Sequence, residues 1–205
     1  MIPKPWADQP LPMIETPALT RDKTHAAIHI ATEMALVHNC LLRGLNSIYL
    51  QASHVTNPVD IKDFLFFCHV WGKSTDNHHD TEEQFIFPAV EAFAKQPGIM
   101  DKNREQHQAF HDGLEAFKTY SAETQPEDYN PVKLREILDT FVKPFQQHLK
   151  EEIDTLVALE NLESTGLSKL WKAAEAKASG SVRKVSWWLS QTNSLSSIAS
   201  PRALR

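Results

Sequence analysis

Seven side chains of metal-ligand type recur in four short stretches of the chain. They are His38 in LVHNCLLR, His78 and Glu82 in HHDTEEQFIFP, His107 and His111 in HQAFH, and His148 and Glu152 in HLKEE. In the last three stretches the paired groups stand four residues apart, which on a helix puts them on one face a turn apart. An imidazole and a carboxylate so placed can reach one metal ion or two neighbouring ones. Five imidazoles and two carboxylates buried together without a cation would carry a large desolvation cost, and a metal centre removes it. Seven ligands exceed the four of a zinc site and suit two metals with the carboxylates bridging. Imidazole with carboxylate points to iron or manganese, while ligand softness alone leaves zinc and copper open. His25, His29, His54 and His69 read as ordinary surface or core residues.

Such a cluster needs helices to carry it, and the spacing of apolar residues supplies them. Ile30, Met34, His38, Leu41, Leu45 and Ile48 alternate at fours and threes, as an inward helical seam does. A second seam reads Ile61, Phe64, Cys68, Trp71, Thr75, His78, Glu82, Phe85, Ala89. On that phase His78 and Glu82 point inward, and His79 and Glu83 lie about 100° away. Pro88 is expected to kink or end this helix, and Gln96-Pro97-Gly98 to turn the chain. A third helix from about Asp101 carries Arg104, His107, His111, Leu114 and Phe117 on one face, and runs out in the polar loop SAETQPEDYNP. The fourth follows Pro131, with Leu134, Leu138, Phe141, Phe145, His148, Glu152, Leu156 and Leu159 inward, a bend at Pro144 and a stop at Gly166. Four such helices with short connections pack as an all-α, antiparallel up-down four-helix bundle.

Around the bundle the sequence predicts a proline-rich arm over residues 1–20, with Trp6 and Met13 packing inward, and Thr20 or Asp22 capping the first helix. Residues 21–166 form the bundle domain. Residues 167–205 give a short amphipathic helix (Leu167, Leu170, Trp171, Ala174) and a basic, Ser-rich tail with Trp187-Trp188. A net charge of -5 argues against general nucleic-acid binding, although Lys169, Lys172, Lys177, Arg183, Lys184, Arg202 and Arg205 make the C-terminal stretch basic. Cys40 and Cys68 read as reduced, buried thiols, which is no disulfide framework. With no secretory apolar run and no membrane span, the expected location is the cytoplasm. A glycine-rich phosphate loop and a serine nucleophile motif are both missing.

From about Thr24 to Leu162 the four stretches resemble the motifs of the hemerythrin-like, or HHE cation-binding, domain family, with the arm and long loops similar to fungal members. The ferritin-type alternative lacks its Glu three residues before a histidine. The resemblance implies two iron ions in an oxo- or hydroxo-bridged di-iron centre. His107, His111 and His148 would hold one iron and His38 and His78 the other, with Glu82 and Glu152 bridging. In oxygen carriers of the family the last carboxylate is an Asp five residues after its His, where this chain has Ile153; Glu152 matches the broader HHE domains. Three functions follow as expectations. The first is a non-haem di-iron protein that binds O2 or a related ligand such as NO. The second is a di-iron oxidase or oxygenase acting on an organic substrate, in a biosynthetic pathway. The third is iron storage or sensing through a protein partner that contacts the basic tail. Phe64, Trp71, Phe85, Phe110, Phe141 and Phe145 are expected to screen the centre from water.

Overall fold

The computed structural model describes residues 7–181. Its helices are α1 (Ala26–Gln51), α2 (Pro58–Thr81), a π turn (Glu82–Ile86), α3 (Phe87–Ala94), α4 (Asp101–Glu123), α5 (Pro131–Ala158) and α6 (Ser164–Ser181). The chain is an all-α bundle, with no strand among the described residues. α1 packs on α5, α5 on α4 and α4 on α2, and α6 closes one end against α1, α3 and the π turn.

Local chemistry sets most of the boundaries. Asn57 and Asn130 cap α2 and α5 by accepting from N–H groups of their first turns, each followed by a proline that needs no partner there. α1 is capped by His25, whose ring accepts from the Ala27 N–H, and not by Thr20 or Asp22; Asp22 instead accepts from the backbone and hydroxyl of Thr24. Pro88 neither ends nor breaks its helix. The π turn ends just before it, with the Phe87 N–H reaching back to the Glu82 carbonyl, and the helix runs on to Ala94. Lys95 and Gly98 then adopt positive φ angles of 53° and 83°, turning the chain into α4. Gly166 is no stop signal either. α5 finishes eight residues earlier, at Ala158, and the Gly166 N–H opens α6 by donating to Glu163. Cys40, expected inside, is exposed on the outer face of α1, while Cys68 is buried.

The N-terminal arm is pinned to α1 by two buried asparagines. Asn39 exchanges two hydrogen bonds with the backbone of Ile14, at 2.7 and 2.9 Å. Asn46 does the same with Leu11, at 2.8 and 2.9 Å, and also donates to the Ala7 carbonyl. Met13 is partly buried on the core; Trp6 and the Trp187-Trp188 tail lie outside the described residues.

Buried apolar residues form two separate clusters. α1 gives residues up to Ala35 to one and residues from Leu41 onward to the other; α5 gives residues up to Leu149 and from Ile153 onward. α2 and the π turn after it divide likewise, between Trp71 and Ile86, and α4 with its N-cap divides between Met100 and Phe110. His38, His78, His79, Glu82, His107 and Glu152 fall in the interval left open on each helix, and His148 borders it. The bundle therefore carries a polar layer between two apolar ones, and burying it requires partners for its nitrogens and oxygens.

Candidate metal centre

Four helical segments bring the layer together. His38 on α1 donates its Nδ1–H to the Leu149 carbonyl at 2.8 Å, which leaves the Nε2 lone pair facing Glu152 Oε2 at 3.3 Å. On α2 and its π turn, His78 Nε2 stands 3.1 Å from Glu82 Oε1. His107 on α4 donates Nδ1–H to Glu83 at 2.8 Å, so its Nε2 lone pair faces inward, 3.7 Å from Glu82 Oε2. His148 on α5 sets its Nε2 3.1 Å from that of His107 and 3.6 Å from Glu152 Oε2. One donor atom from each of His79, Glu82, His107 and His148 lies within 4.8 Å of the others, and the same holds for His38, His78 and Glu82.

The electrostatics of this layer favour a cation. Both oxygens of Glu82 and of Glu152, both nitrogens of His79, and His38 Nε2, His78 Nε2 and His148 Nδ1 are buried without a hydrogen-bond partner. Each such atom costs about 1–3 kcal/mol when left unpaired, and an ionised carboxylate costs more. Burial, reinforced by neighbouring imidazoles, holds His78 down to about 3 and His79 and His148 well below the usual histidine value. His107 is lowered less, because Glu83 opposes the effect of burial. Neutral imidazoles are the form that ligates metal. Burial, then the Glu152 carboxylate, pushes Glu82 well above the carboxylate range; in Glu152 burial acts the same way but is outweighed by His38 and the other imidazoles, leaving it lowered. A cation placed among these atoms would serve the lone pairs and the carboxylates at once. The residues present therefore fit a bound metal.

The model of the hemerythrin HHE cation-binding domain matches residues 29–159. The chain belongs to that family. This HHE-domain chain is also 40% identical, over 178 residues, to the "Dimeric xanthone biosynthesis cluster protein R11" of Cryptosporiopsis sp. (strain 8999), an alignment covering 85% of this chain and 68% of the relative. No solved structure matches the HHE-domain chain. Among the described residues no helix is long and apolar enough to cross a membrane.

Six of the residues singled out from sequence, His38, His78, Glu82, His107, His148 and Glu152, lie in the layer. His111 does not, which corrects its expected place on the inward face of the third helix. Its side chain is 54% exposed, with Nδ1 3.2 Å from Asp112, and Phe110 is the buried neighbour of His107. His79, placed off the seam from sequence, is buried in the layer. Measured from Thr75, His78 falls about 60° to one side of the seam and His79 about 40° to the other, so both reach inward. The π turn then shifts the face further, and Ile86 and Phe87 are buried where Phe85 was expected. Phe110 lies against His79 and His148, Phe145 lies against His79, and Phe87 lies 5.5 Å from the His107 ring. Trp71 and Phe141 pack with Phe117 and Phe145 in the neighbouring apolar layer. Sequence reasoning also passed over Glu83, whose signal was its place next to a ligand-type carboxylate on a turn that faces α4.

Outside the bundle a groove of about 900 Å³ runs between the arm and α5, lined among others by Met13, Ile14, Lys143, Lys150, Ile153 and Val157. It includes none of the histidines.

Proposed function

We propose that this HHE-domain protein is a non-haem di-iron protein that binds iron and O2, or a related small ligand, at the buried layer. The observation that carries the reading is the set of buried lone pairs and carboxylate oxygens with no partner of their own, contributed by α1, by α2 with its π turn and by α5, beside the His107 imidazole of α4. His38, His78, His107 and His148 would serve as imidazole donors, and Glu82 and Glu152, each of which faces more than one of them, would supply the carboxylates. Two iron ions held there would supply the electrons and the open position that a small diatomic ligand needs. The protein contributes the rest. The Leu149 carbonyl and the Glu83 carboxylate fix the tautomers of His38 and His107, and Phe87, Phe110 and Phe145 keep bulk water from the imidazoles.

A second reading has an observation of its own. The relative carries the name of a xanthone biosynthesis cluster protein, which supports an O2-dependent oxidoreductase acting on an organic substrate. Anaerobic loading with Fe(II), followed by optical spectroscopy on adding O2, separates the two. The first reading expects about two irons per chain and a spectral change that reverses when O2 is removed. Irreversible change accompanied by an oxidised organic product supports the second, and a protein that retains no iron refutes both.

A further inference from the structure

We infer that His79 is a ligand of the metal centre and occupies the place that motif resemblance gives to His111. The inference rests on reading the polar layer as a metal centre and specifies which side chains complete it. His79 is 5% exposed, and both of its ring nitrogens are buried without a partner. Its ring lies 5.1 Å from that of His78, 4.6 Å from His107 and 5.1 Å from His148. A neutral imidazole always has one nitrogen that accepts and one that donates, so a histidine satisfied by packing alone would still need two partners here. Phe110 and Phe145, which cover it at 4.9 and 5.9 Å between ring centroids, offer neither.

His111 cannot be brought in by a small adjustment. It follows Phe110 on α4, and exchanging the two requires turning the helix by about 100°. That rotation would carry Leu114 and Phe117, both almost fully buried, out of the core. Gly113 resists it as well, because the Phe141 side chain already packs directly over its Cα, where a Cβ would stand 2.6 Å from Phe141 Cβ. The adjacent pair His78–His79 then divides between two donor groups that share Glu82. His79 joins Glu82, His107 and His148, while His78 joins Glu82 and His38. The first group is a set of three imidazoles and a carboxylate, and Glu152, which faces His38 at 3.3 Å and His148 at 3.6 Å, stands beside both groups.

Metal content after anaerobic Fe(II) loading and desalting tests this in the full chain, alongside His79→Ala, His79→Gln and His111→Ala. The expected result is two irons in the wild type and in His111→Ala, with one site lost or weakened at least tenfold in both His79 variants. Full iron content at unchanged affinity in the His79 variants, or loss of iron in His111→Ala, overturns the assignment while leaving the metal reading intact. A wild type that takes up no iron overturns the metal reading and the assignment with it. A measurement on the unaltered protein covers the case in which the His79 variants fail to fold. Diethyl pyrocarbonate should modify His111 equally fast with and without iron, and protection of His111 by iron overturns the inference.

Discussion

Replacing Glu83 by alanine should weaken iron binding although Glu83 is not placed to touch the metal. Its carboxylate accepts the Nδ1–H of His107 at 2.8 Å, and that bond keeps the lone pair on Nε2, the nitrogen facing Glu82 and His148. Without Glu83 the ring can carry its proton on either nitrogen and can tilt, so part of the population no longer presents a donor. A hydrogen bond to a charged group contributes about 1.5–3 kcal/mol. The Glu83 side chain is 38% exposed, so water competes and the lower part of that range applies. A loss of about 1–2 kcal/mol corresponds to roughly 5- to 30-fold in affinity, which overlaps the 10- to 100-fold typical of groups that orient metal ligands. Glu83→Gln keeps a carbonyl acceptor and should lose only about two- to fivefold, since a neutral bond retains roughly half the strength. Competition against a chromophoric Fe(II) chelator under anaerobic conditions measures both, with the melting temperature of each metal-free variant as a control on folding. An alanine variant that binds as tightly as the wild type refutes the orienting role. A glutamine variant as weak as alanine would mean that charge, not ring orientation, is what Glu83 supplies.

Gly44→Ala should destabilise the protein, although glycine to alanine inside a helix ordinarily gains about 1 kcal/mol. The new Cβ would lie against Trp71 Cδ1 and 2.7 Å from its Nε1, and the indole is tethered by its N–H bond of 3.0 Å to the Leu41 carbonyl. Overpacking of this kind costs about 1–3 kcal/mol, so the melting temperature should fall; a rise would refute the account. Acid should destabilise the metal-free protein from about pH 6.5 downward. The lowered values of His78, His79, His107 and His148 mean that the unfolded chain takes up protons there and the native state does not. Glu82, being raised, acts in the opposite direction over the same window, but it is one group against four histidines. Melting temperatures between pH 7.5 and 5 should therefore decline, less steeply in His79→Leu, and a flat profile would refute the sign.

How far the sequence reached depended on whether each helix keeps one phase along its length. On α1 and α5 every residue of the expected seam is buried, because strong Leu, Ile and Phe repeats continue on both sides of His38 and of His148 and Glu152. α2 follows its seam only as far as Thr75. A π turn is a change in hydrogen bonding, from i→i−4 to i→i−5, and apolar spacing does not record it; Pro88 was the visible sign, and it was read as a break. The misplaced face of α4 was legible. Phe110 and His111 are about 100° apart and cannot both point inward, and an unpaired aromatic in water loses more than an imidazole does. The caps failed for another reason: Thr20 and Asp22 have the right chemistry, but His25 and Ser164 accept from the first N–H groups of α1, those of Ala27 and Ala26. The Ala26 N–H donates to Ser164, 138 residues away, at 2.9 Å.

The π turn at Glu82–Ile86 bears on how such a chain can change in length. A helix that contains one wide turn holds one residue more than a regular helix spanning the same distance. Deleting a residue from the exposed side of that turn, Gln84 for instance, would leave an ordinary helix that still joins Thr81 to Val90. Everything after the deletion would then keep its face relative to His78 and His79, because the five residues of the wide turn cover about the rotation and rise of four in a regular helix. Ile86, Phe87 and Val90 would stay buried against α6 and the lower core. The two ends of this long helix thus share one face across a single surplus residue, and relatives one residue shorter in this stretch should keep their apolar positions downstream of it.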